Sequence, residues 1–206
     1  MPQPSEAARP PGLSEARPQP IGSSYILLVT GSRDIPAPGP GGHADDGVLT
    51  VWRRLDEVLY GVARPSGEAA RPEPGRSRSG WSAQGPGGFV LRHGCAPGVD
   101  TVAGAWAAAR GVAVDEHRAD WDACGPDCPP SPSHRRRRTA AALRAHPGST
   151  PDYCPGAGGR RNQAMADAQP RAQLCLAFPT PSSRGTWNMV RRATAAGIEV
   201  VVHRLP

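Results

Sequence analysis

The chain has 206 residues, of which 38% are hydrophobic and 20% are charged, and 24 basic against 18 acidic side chains give a formal net charge of +6. All 24 are arginine, and the lack of lysine excludes a Walker A loop, a pyridoxal-phosphate Schiff base and any other lysine-dependent cofactor. No apolar run is long enough to span a bilayer and the N-terminus lacks the apolar stretch of a signal peptide, so we expect a cytoplasmic protein with no membrane partner.

The first predicted elements follow a tail. Residues 1–22 are rich in proline and alanine and predict disorder. The continuous apolar run at 25–30 is typical of a buried parallel strand. After a loop of glycine and proline, Asp45 or Asp46 can cap a helix whose apolar positions recur every three or four residues as far as Val62.

The middle of the chain repeats the pattern of strand and helix. Residues 63–87 have no periodicity and predict a low-complexity linker. Residues 89–92 predict a second strand, and the helix that begins at Val99 is expected to end at Gly111. A third strand is predicted at 112–117.

The last third begins with an insertion. Residues 118–158 contain cysteines, prolines and an arginine run without a helical or strand period. A short helix at 160–167, a strand at 174–178, a helix at 186–196 and a strand at 199–203 follow. This alternation predicts one α/β domain over residues 23–206: a Rossmann-like parallel sheet of about five strands with helices on both faces.

Three predicted strands end in glycine-containing turns that lead into helices, at residues 31–33, 94–98 and 182–186. Backbone N–H groups at such turns and at helix starts bind anions, and Arg33 and Arg184 can add bidentate contacts to phosphate. A single turn of this kind is more often a plain strand-to-helix connection. Because the carboxyl ends of parallel strands meet at one edge of a sheet, three of them predict an anion site there.

Several motifs occur in these turns in a fixed order. Residues 30–34 read Thr-Gly-Ser-Arg-Asp, residues 93–100 read His-Gly-Cys-Ala-Pro-Gly-Val-Asp, residues 161–165 read Arg-Asn-Gln-Ala-Met, and residues 184–186 read Arg-Gly-Thr. This set resembles the YspA/YpsA-related branch of the SLOG superfamily, although one glycine and one arginine of the family's second motif are replaced here.

The resemblance implies a Rossmann-like domain that binds a nucleotide or a nucleotide-derived ligand. The turns and the resemblance together assign these residues to the ligand: Gly31, Ser32, Arg33, Gly94, Asp100, Arg161, Asn162, Arg184, Gly185 and Thr186. A two-fold homodimer is the default expectation for the assembly.

Catalysis is the alternative to simple binding. The related cytokinin-activating phosphoribohydrolases have a glutamate that assists cleavage of an N-glycosidic bond, and Met189 stands at the corresponding position here. A thioether cannot act as a general base. Asp100 is the carboxylate that can replace the glutamate, with a helix-cap role as its alternative. We therefore favour a binding or sensing domain over an N-glycosidic hydrolase.

The insertion contains a candidate metal site. Three cysteines and one histidine have the donor set of a closed, structural zinc site: Cys124, Cys128, His134 and Cys154. The alternative is a flexible loop with incidental cysteines. Cys95 and Cys175 are expected to be buried and inert, with a nucleophilic role for Cys95 as the minor alternative.

The arginine run at 135–138 permits nucleic-acid binding. Single-strand binders also need exposed aromatic side chains, however, and aromatic residues make up only 5% of this chain. Trp52 and Trp106 fall on helix faces that are predicted to be buried. We therefore do not expect nucleic acid as the partner.

Overall fold

The computed structural model describes residues 24–35, 45–62, 88–129, 134–145 and 147–205, so the predicted tail (1–22) and linker (63–87) lie outside the described residues. The elements of the described chain are, in order, β1 (Tyr25–Gly31), α1 (Asp46–Val62), β2 (Phe89–His93), α2 (Val99–Arg110), β3 (Ala113–Glu116), β4 (Arg136–Arg137), α3 (Ala140–Ala145), β5 (Asp152–Tyr153), α4 (Ala157–Asp167), β6 (Leu174–Phe178), α5 (Arg184–Ala195) and β7 (Glu199–Val202). None of these helices is long and apolar enough to cross a membrane.

Five strands form one parallel sheet in the order β3-β2-β1-β6-β7, which confirms the predicted fold class. Leu28 of β1 pairs with Arg92 of β2, and Thr30 pairs with Ala177 of β6, so the carboxyl ends of these three strands lie side by side. The chain moves outward from β1 to β3 and then returns to the other side of β1 with β6. Such a reversal leaves a crevice at the strand ends, where open parallel sheets bind ligands.

β1 is buried on both faces of the sheet. Successive side chains of a strand point to opposite sides, and both sets of side chains are buried here. Leu27 and Val29 join the core cluster that contains the apolar stripes of α1 and α2. Ile26 and Leu28 join the second cluster, with residues of α4 and α5. Helices therefore cover both faces of the sheet, as predicted.

The helix ends agree with the sequence analysis at the first two helices and differ at the last two. α5 begins at Arg184, two residues before the predicted start at 186, and ends at Ala195. The Asp45 carboxylate accepts the Gly47 N–H at 2.7 Å, and Gly111 ends α2 in the left-handed conformation at φ 64°. α4 begins at Ala157, three residues before the predicted start at 160. Glycine disfavours a helix interior, but a Cβ at Gly158 would lie 3.2 Å from the Trp121 ring, so packing selects glycine there.

The segment between β3 and α4 contains elements that the sequence analysis did not predict. β4 and β5 pair in antiparallel fashion, with Arg136 opposite Tyr153, and α3 lies between them in sequence. The strands have two residues each and the helix has six, lengths too short to produce a recognisable period.

Arg92 is a charged side chain inside the sheet, with 1% of its surface exposed. Its Nε donates to the Asp115 carboxylate at 2.7 Å, and its terminal nitrogens donate to the carbonyl oxygens of Met165, Ala168 and Pro170 at 3.0–3.3 Å. Two of these carbonyls belong to the end of α4 and the residue after it, which lack intrahelical donors. Arg92 thus fixes the carboxyl end of α4 against β2.

We expect Arg92→Met to lower the free energy of unfolding by roughly 2–4 kcal/mol, because it leaves buried carbonyl oxygens without donors. Urea unfolding followed by circular dichroism measures the change. Arg191→Met, at an exposed position of α5, is the matched control and should change it by less than about 0.5 kcal/mol. Equal losses in both variants would contradict the role assigned to Arg92.

Candidate functional site

A cleft of about 380 Å³ opens at the carboxyl ends of β1 and β6. Of the residues that the sequence analysis assigned to the ligand, the cleft is lined by Gly31, Ser32, Arg33, Asp100, Arg161, Asn162, Arg184, Gly185 and Thr186. Gly94 is not among the lining residues. The cleft is also lined by Thr30, Asp34, Ala96, Ser182 and Ser183, which the sequence analysis did not select. A more open depression of about 620 Å³ lies along α1, away from the strand ends.

The turn after β1 is tied to the end of β6 by Ser32, of which 2% is exposed. Its N–H donates to the Phe178 carbonyl at 2.9 Å, and its hydroxyl lies 3.3 Å from that of Thr180. The Ser32 hydroxyl also donates to Asp34 at 2.9 Å and accepts the Asp34 N–H at 3.1 Å. This turn is therefore held by its own side chains before any ligand binds.

The turns after β1 and β2 approach each other so closely that two glycines are required. A Cβ at Gly31 would lie 2.3–2.7 Å from the Val99 side chain, and one at Gly98 would lie 2.2 Å from the Ser32 carbonyl oxygen. Gly98 also has a φ of 86°, a conformation that side chains strongly disfavour. The Val99 N–H donates to the Ser32 carbonyl at 3.0 Å and starts α2 directly against the first turn.

The turn after β2 uses its own N–H groups. Asp100 accepts the N–H groups of Gly94 and Ala96 at 3.1 and 3.0 Å, and His93 Nδ1 accepts the Cys95 N–H at 3.1 Å. These three N–H groups therefore have acceptors within the turn itself.

Arg161 crosses from α4 to this turn. Its Nη1 donates to the Gly94 carbonyl and lies 3.7 Å from the Asp100 carboxylate. A Cβ at Gly94 would collide with this guanidinium, so the close contact with Arg161 requires glycine at this position. Burial raises the pKa of Asp100 against the lowering effects of its N–H donors and of Arg161, and burial lowers the pKa of Arg161.

Asn162 places the start of α5. Its amide nitrogen donates to the Gly185 carbonyl at 3.2 Å and to the Asn188 side chain at 3.0 Å. Met189 is fully buried in the core cluster beneath α5. The position that holds a glutamate in the phosphoribohydrolases therefore contributes packing here and does not line the cleft.

The amino end of α5 includes a buried hydroxyl that lacks a partner. The Ser183 side chain makes no cap hydrogen bond and instead accepts the Thr180 N–H at 2.9 Å. Within the described residues, only three buried side-chain polar atoms have no partner, and two of them, Arg161 Nε and Thr186 Oγ1, belong to residues that line the cleft. Thr186 itself is 3% exposed.

The four predicted metal ligands lie together in the segment between β3 and α4. Their ligand atoms are all within 4.8 Å of one another, with 3.5 Å between the sulfurs of Cys128 and Cys154 and 3.3 Å from His134 Nε2 to the Cys154 sulfur. Tetrahedral zinc with Zn–S bonds of about 2.3 Å requires sulfurs about 3.8 Å apart. Donor set and spacing both fit a metal ion.

Two arginines donate to this group of sulfurs. Arg160 Nη1 lies 3.1 Å from the Cys128 sulfur and 3.3 Å from that of Cys154, and Arg135 lies 3.8 Å from that of Cys124. Burial raises the pKa of Cys154, but the hydrogen bonds from Arg160, His134 and Cys128 outweigh burial and lower it to about 5. This lowered pKa favours the thiolate, the form that binds metals.

The structure also places the two remaining cysteines and the arginine run at 135–138. Cys175 is buried as expected, whereas Cys95 is partly exposed with a φ of 55°, and burial together with Glu116 raises its pKa, which disfavours a nucleophilic role. In the predicted arginine run, Arg135 and Arg138 bond to Asp122 and to neighbouring carbonyls, and only 136–137 remain exposed.

The turn after β2 is also where the comparison with known families succeeds. Residues 81–123 match the YspA, cpYpsA-related SLOG family. The match confirms the resemblance seen in the motifs, and it spans β2, the turn that Asp100 organises, α2 and β3. No curated protein and no solved structure matches the chain.

Two glycines near the strand ends, one without room for a Cβ and one with room, predict opposite mutational outcomes. Gly98→Ala should lower the free energy of unfolding by at least about 1 kcal/mol, because its φ and the nearby Ser32 carbonyl exclude a Cβ. Gly185→Ala is the matched control, since no atom lies within 4 Å of the added Cβ, and its stability should equal or exceed that of the wild type. Chemical denaturation compares the two, and equal losses would contradict the close approach of the turns.

Proposed function

We propose that the cleft binds a nucleotide or nucleotide-derived ligand through its phosphate, and that the protein is a binding or sensing domain. The observation that carries this proposal is the pair of buried, unpartnered atoms, Arg161 Nε and Thr186 Oγ1. A buried polar atom without a partner costs about 1–3 kcal/mol, and a phosphate oxygen is an acceptor for both. The SLOG match supports a nucleotide-related ligand.

The charges and the helix around this pair favour an anion. The N–H groups in the first turn of a helix have no partner within the helix, and Ser183 does not cap α5. The Arg184 N–H donates to the Ser182 carbonyl at 2.8 Å, so the N–H groups of Gly185 and Thr186 are the ones left for a ligand. The helix dipole adds partial positive charge at the same place. Three arginines against two carboxylates line the cleft, which gives it a formal net charge of +1: Arg33, Arg161 and Arg184 against Asp34 and Asp100.

An N-glycosidic hydrolase is the second candidate. Asp100 is the carboxylate that it would use, but two N–H groups and Arg161 already engage Asp100, and Met189 lies in the core. Nucleic-acid binding is the third candidate and relies on the exposed arginines at 136–137.

The functional test uses adenosine 5′-monophosphate and isothermal calorimetry. We expect Arg33→Ala to weaken binding about 10- to 150-fold, because a hydrogen bond to a charged group contributes about 1.5–3 kcal/mol. Thermal stability should change little, since Arg33 is exposed and its guanidinium lies over the Trp121 ring. Adenosine, which lacks the phosphate, should bind far more weakly than the monophosphate.

The matched protein control is the double variant Arg136→Ala/Arg137→Ala, which removes two exposed arginines outside the cleft. It should bind the monophosphate like the wild type, and a loss confined to this control would favour the nucleic-acid candidate. No adenine should appear during the incubation. Adenine release that disappears in Asp100→Asn would establish the hydrolase instead.

We also propose that Cys124, Cys128, His134 and Cys154 hold a structural zinc ion. A closed set of four protein ligands is typical of structural zinc, which supplies cohesion to a segment that lacks its own core. Zinc with three thiolates carries a net charge of −1, and the Arg160 guanidinium beside Cys128 and Cys154 balances it. The nearby arginines therefore do not oppose the metal.

Elemental analysis should find about one zinc per chain, and the double variant Cys124→Ser/Cys128→Ser should lose both the metal and thermal stability. Cys95→Ser removes a thiol outside the cluster and should keep the full metal content. The zinc proposal would be contradicted if the wild-type protein contained no metal and lost no stability without it. A disulfide between Cys128 and Cys154 in the wild type would also contradict the proposal.

A further inference from the structure

The Cys/His cluster (Cys124, Cys128, His134 and Cys154) and the cleft both contact the first turn of α4. The Ala157 N–H, at the start of α4, donates to the Cys154 carbonyl at 3.2 Å. Arg160 points to the sulfurs of the cluster, while Arg161, the next residue, donates to Gly94 beneath the cleft. Two consecutive side chains thus connect the two sites through a single helical turn.

Trp121 makes a second connection. Its carbonyl accepts the Cys154 N–H at 2.8 Å, and its ring lies edge-on to Tyr153 at 6.1 Å. On the cleft side, the Arg33 guanidinium carbon lies 5.9 Å from the centre of the same ring. The absence of a side chain at Gly158 lets the ring rest on the first turn of α4.

We propose that Trp121 and Arg160 are positioning residues through which a metal ion in the Cys/His cluster raises the affinity of the cleft for a phosphate-bearing ligand. This proposal rests on the proposed function and on the proposed zinc ion. Arg160 holds the turn that carries Arg161, and Trp121 holds Arg33. A guanidinium that is already ordered loses less conformational freedom when it binds phosphate.

Coupling of this kind is reciprocal. If the metal raises the affinity for the nucleotide by some factor, the nucleotide must raise the affinity for the metal by the same factor. A metal ion that only stabilised the fold as a whole would behave differently. In that case, binding of AMP to the folded, metal-loaded protein would leave the metal site unchanged. Cobalt(II) makes this change visible, because its absorption bands report the thiolate ligands directly.

The experiment consists of two titrations of the full chain. In the first, cobalt(II) is added in the presence and in the absence of saturating AMP. In the second, AMP is added before and after a chelator has removed the metal. We expect AMP to bind about tenfold more tightly to the metal-loaded chain, and cobalt(II) to bind tighter by the same factor when AMP is present. AMP should also shift the cobalt absorption bands. Equal AMP affinities with and without metal would overturn the coupling and leave the proposed function standing.

Variants identify the positioning residues. Trp121→Ala should bind cobalt(II) with the wild-type stoichiometry but lose most of the coupling, whereas Trp121→Phe keeps an aromatic face for Arg33 and should retain it. Arg160→Ala should lose coupling, and Arg160→Lys should restore part of it. Arg144→Ala, an exposed arginine of α3, is the control and should keep the wild-type coupling. Full coupling in Trp121→Ala and Arg160→Ala would overturn the assignment.

Hydrogen exchange tests the positioning without any nucleotide. The N–H groups of residues 94–96 bond to His93 and Asp100, the carboxylate that Arg161 approaches. Removal of the metal should speed their exchange and leave β7 unchanged. If AMP fails to bind either form, the proposed function is refuted, and faster exchange at 94–96 still supports the positioning role. Unchanged exchange there, or a chain that binds no metal, would overturn the proposal.

Discussion

The Arg161 side chain is largely buried between α4 and the turn after β2, where its charge is only partly solvated. A buried charge is tolerated when it is hydrogen-bonded and paired, and the Gly94 carbonyl and the Asp100 carboxylate provide this compensation. Asp100 is itself compensated by two N–H groups of the same turn. The geometry of the cleft depends on this arrangement, because it sets the distance between α4 and the strand ends.

Hydrogen-bond satisfaction also decides which part of the cleft is available to a ligand. The turns after β1 and β2 use their N–H groups and hydroxyls internally, through Ser32, His93 and Asp100. At the amino end of α5 the N–H groups of Ser183 and Arg184 are also used internally, but the Ser183 hydroxyl bonds to Thr180 and does not cap the helix, and the Thr186 hydroxyl has no partner. A phosphate is therefore expected at α5, with the other two turns as rigid supports.

The segment between β3 and α4 relies on a different principle from the sheet. Two apolar clusters stabilise the sheet. This segment is stabilised by contacts among cysteine sulfurs, by arginine side chains that bond to those sulfurs and to Asp122, and by backbone hydrogen bonds. The Asp122 carboxylate, for example, accepts hydrogen bonds from both Arg138 and Thr150. A small segment without a core gains stability most readily from such a network or from a metal, and its attachment to α4 gives it influence over Arg161.

The strands and helices of the sheet, the edge at which the glycine turns meet and the four residues of the Cys/His cluster could all be predicted from the amino-acid sequence. These features follow from apolar periodicity, from the conformational demands of glycine turns and from donor type, all of which are local. The folded structure was needed to show that Asp100 and His93 accept the N–H groups of the second turn, that Arg161 packs on Gly94 and that Trp121 reaches Arg33. The bonds of Asp100 and His93 join residues only two to six positions apart, but they form only in the folded conformation of the turn. Gly94 and Arg161 are 67 residues apart, and no local pattern encodes which distant polar groups will meet when the chain folds.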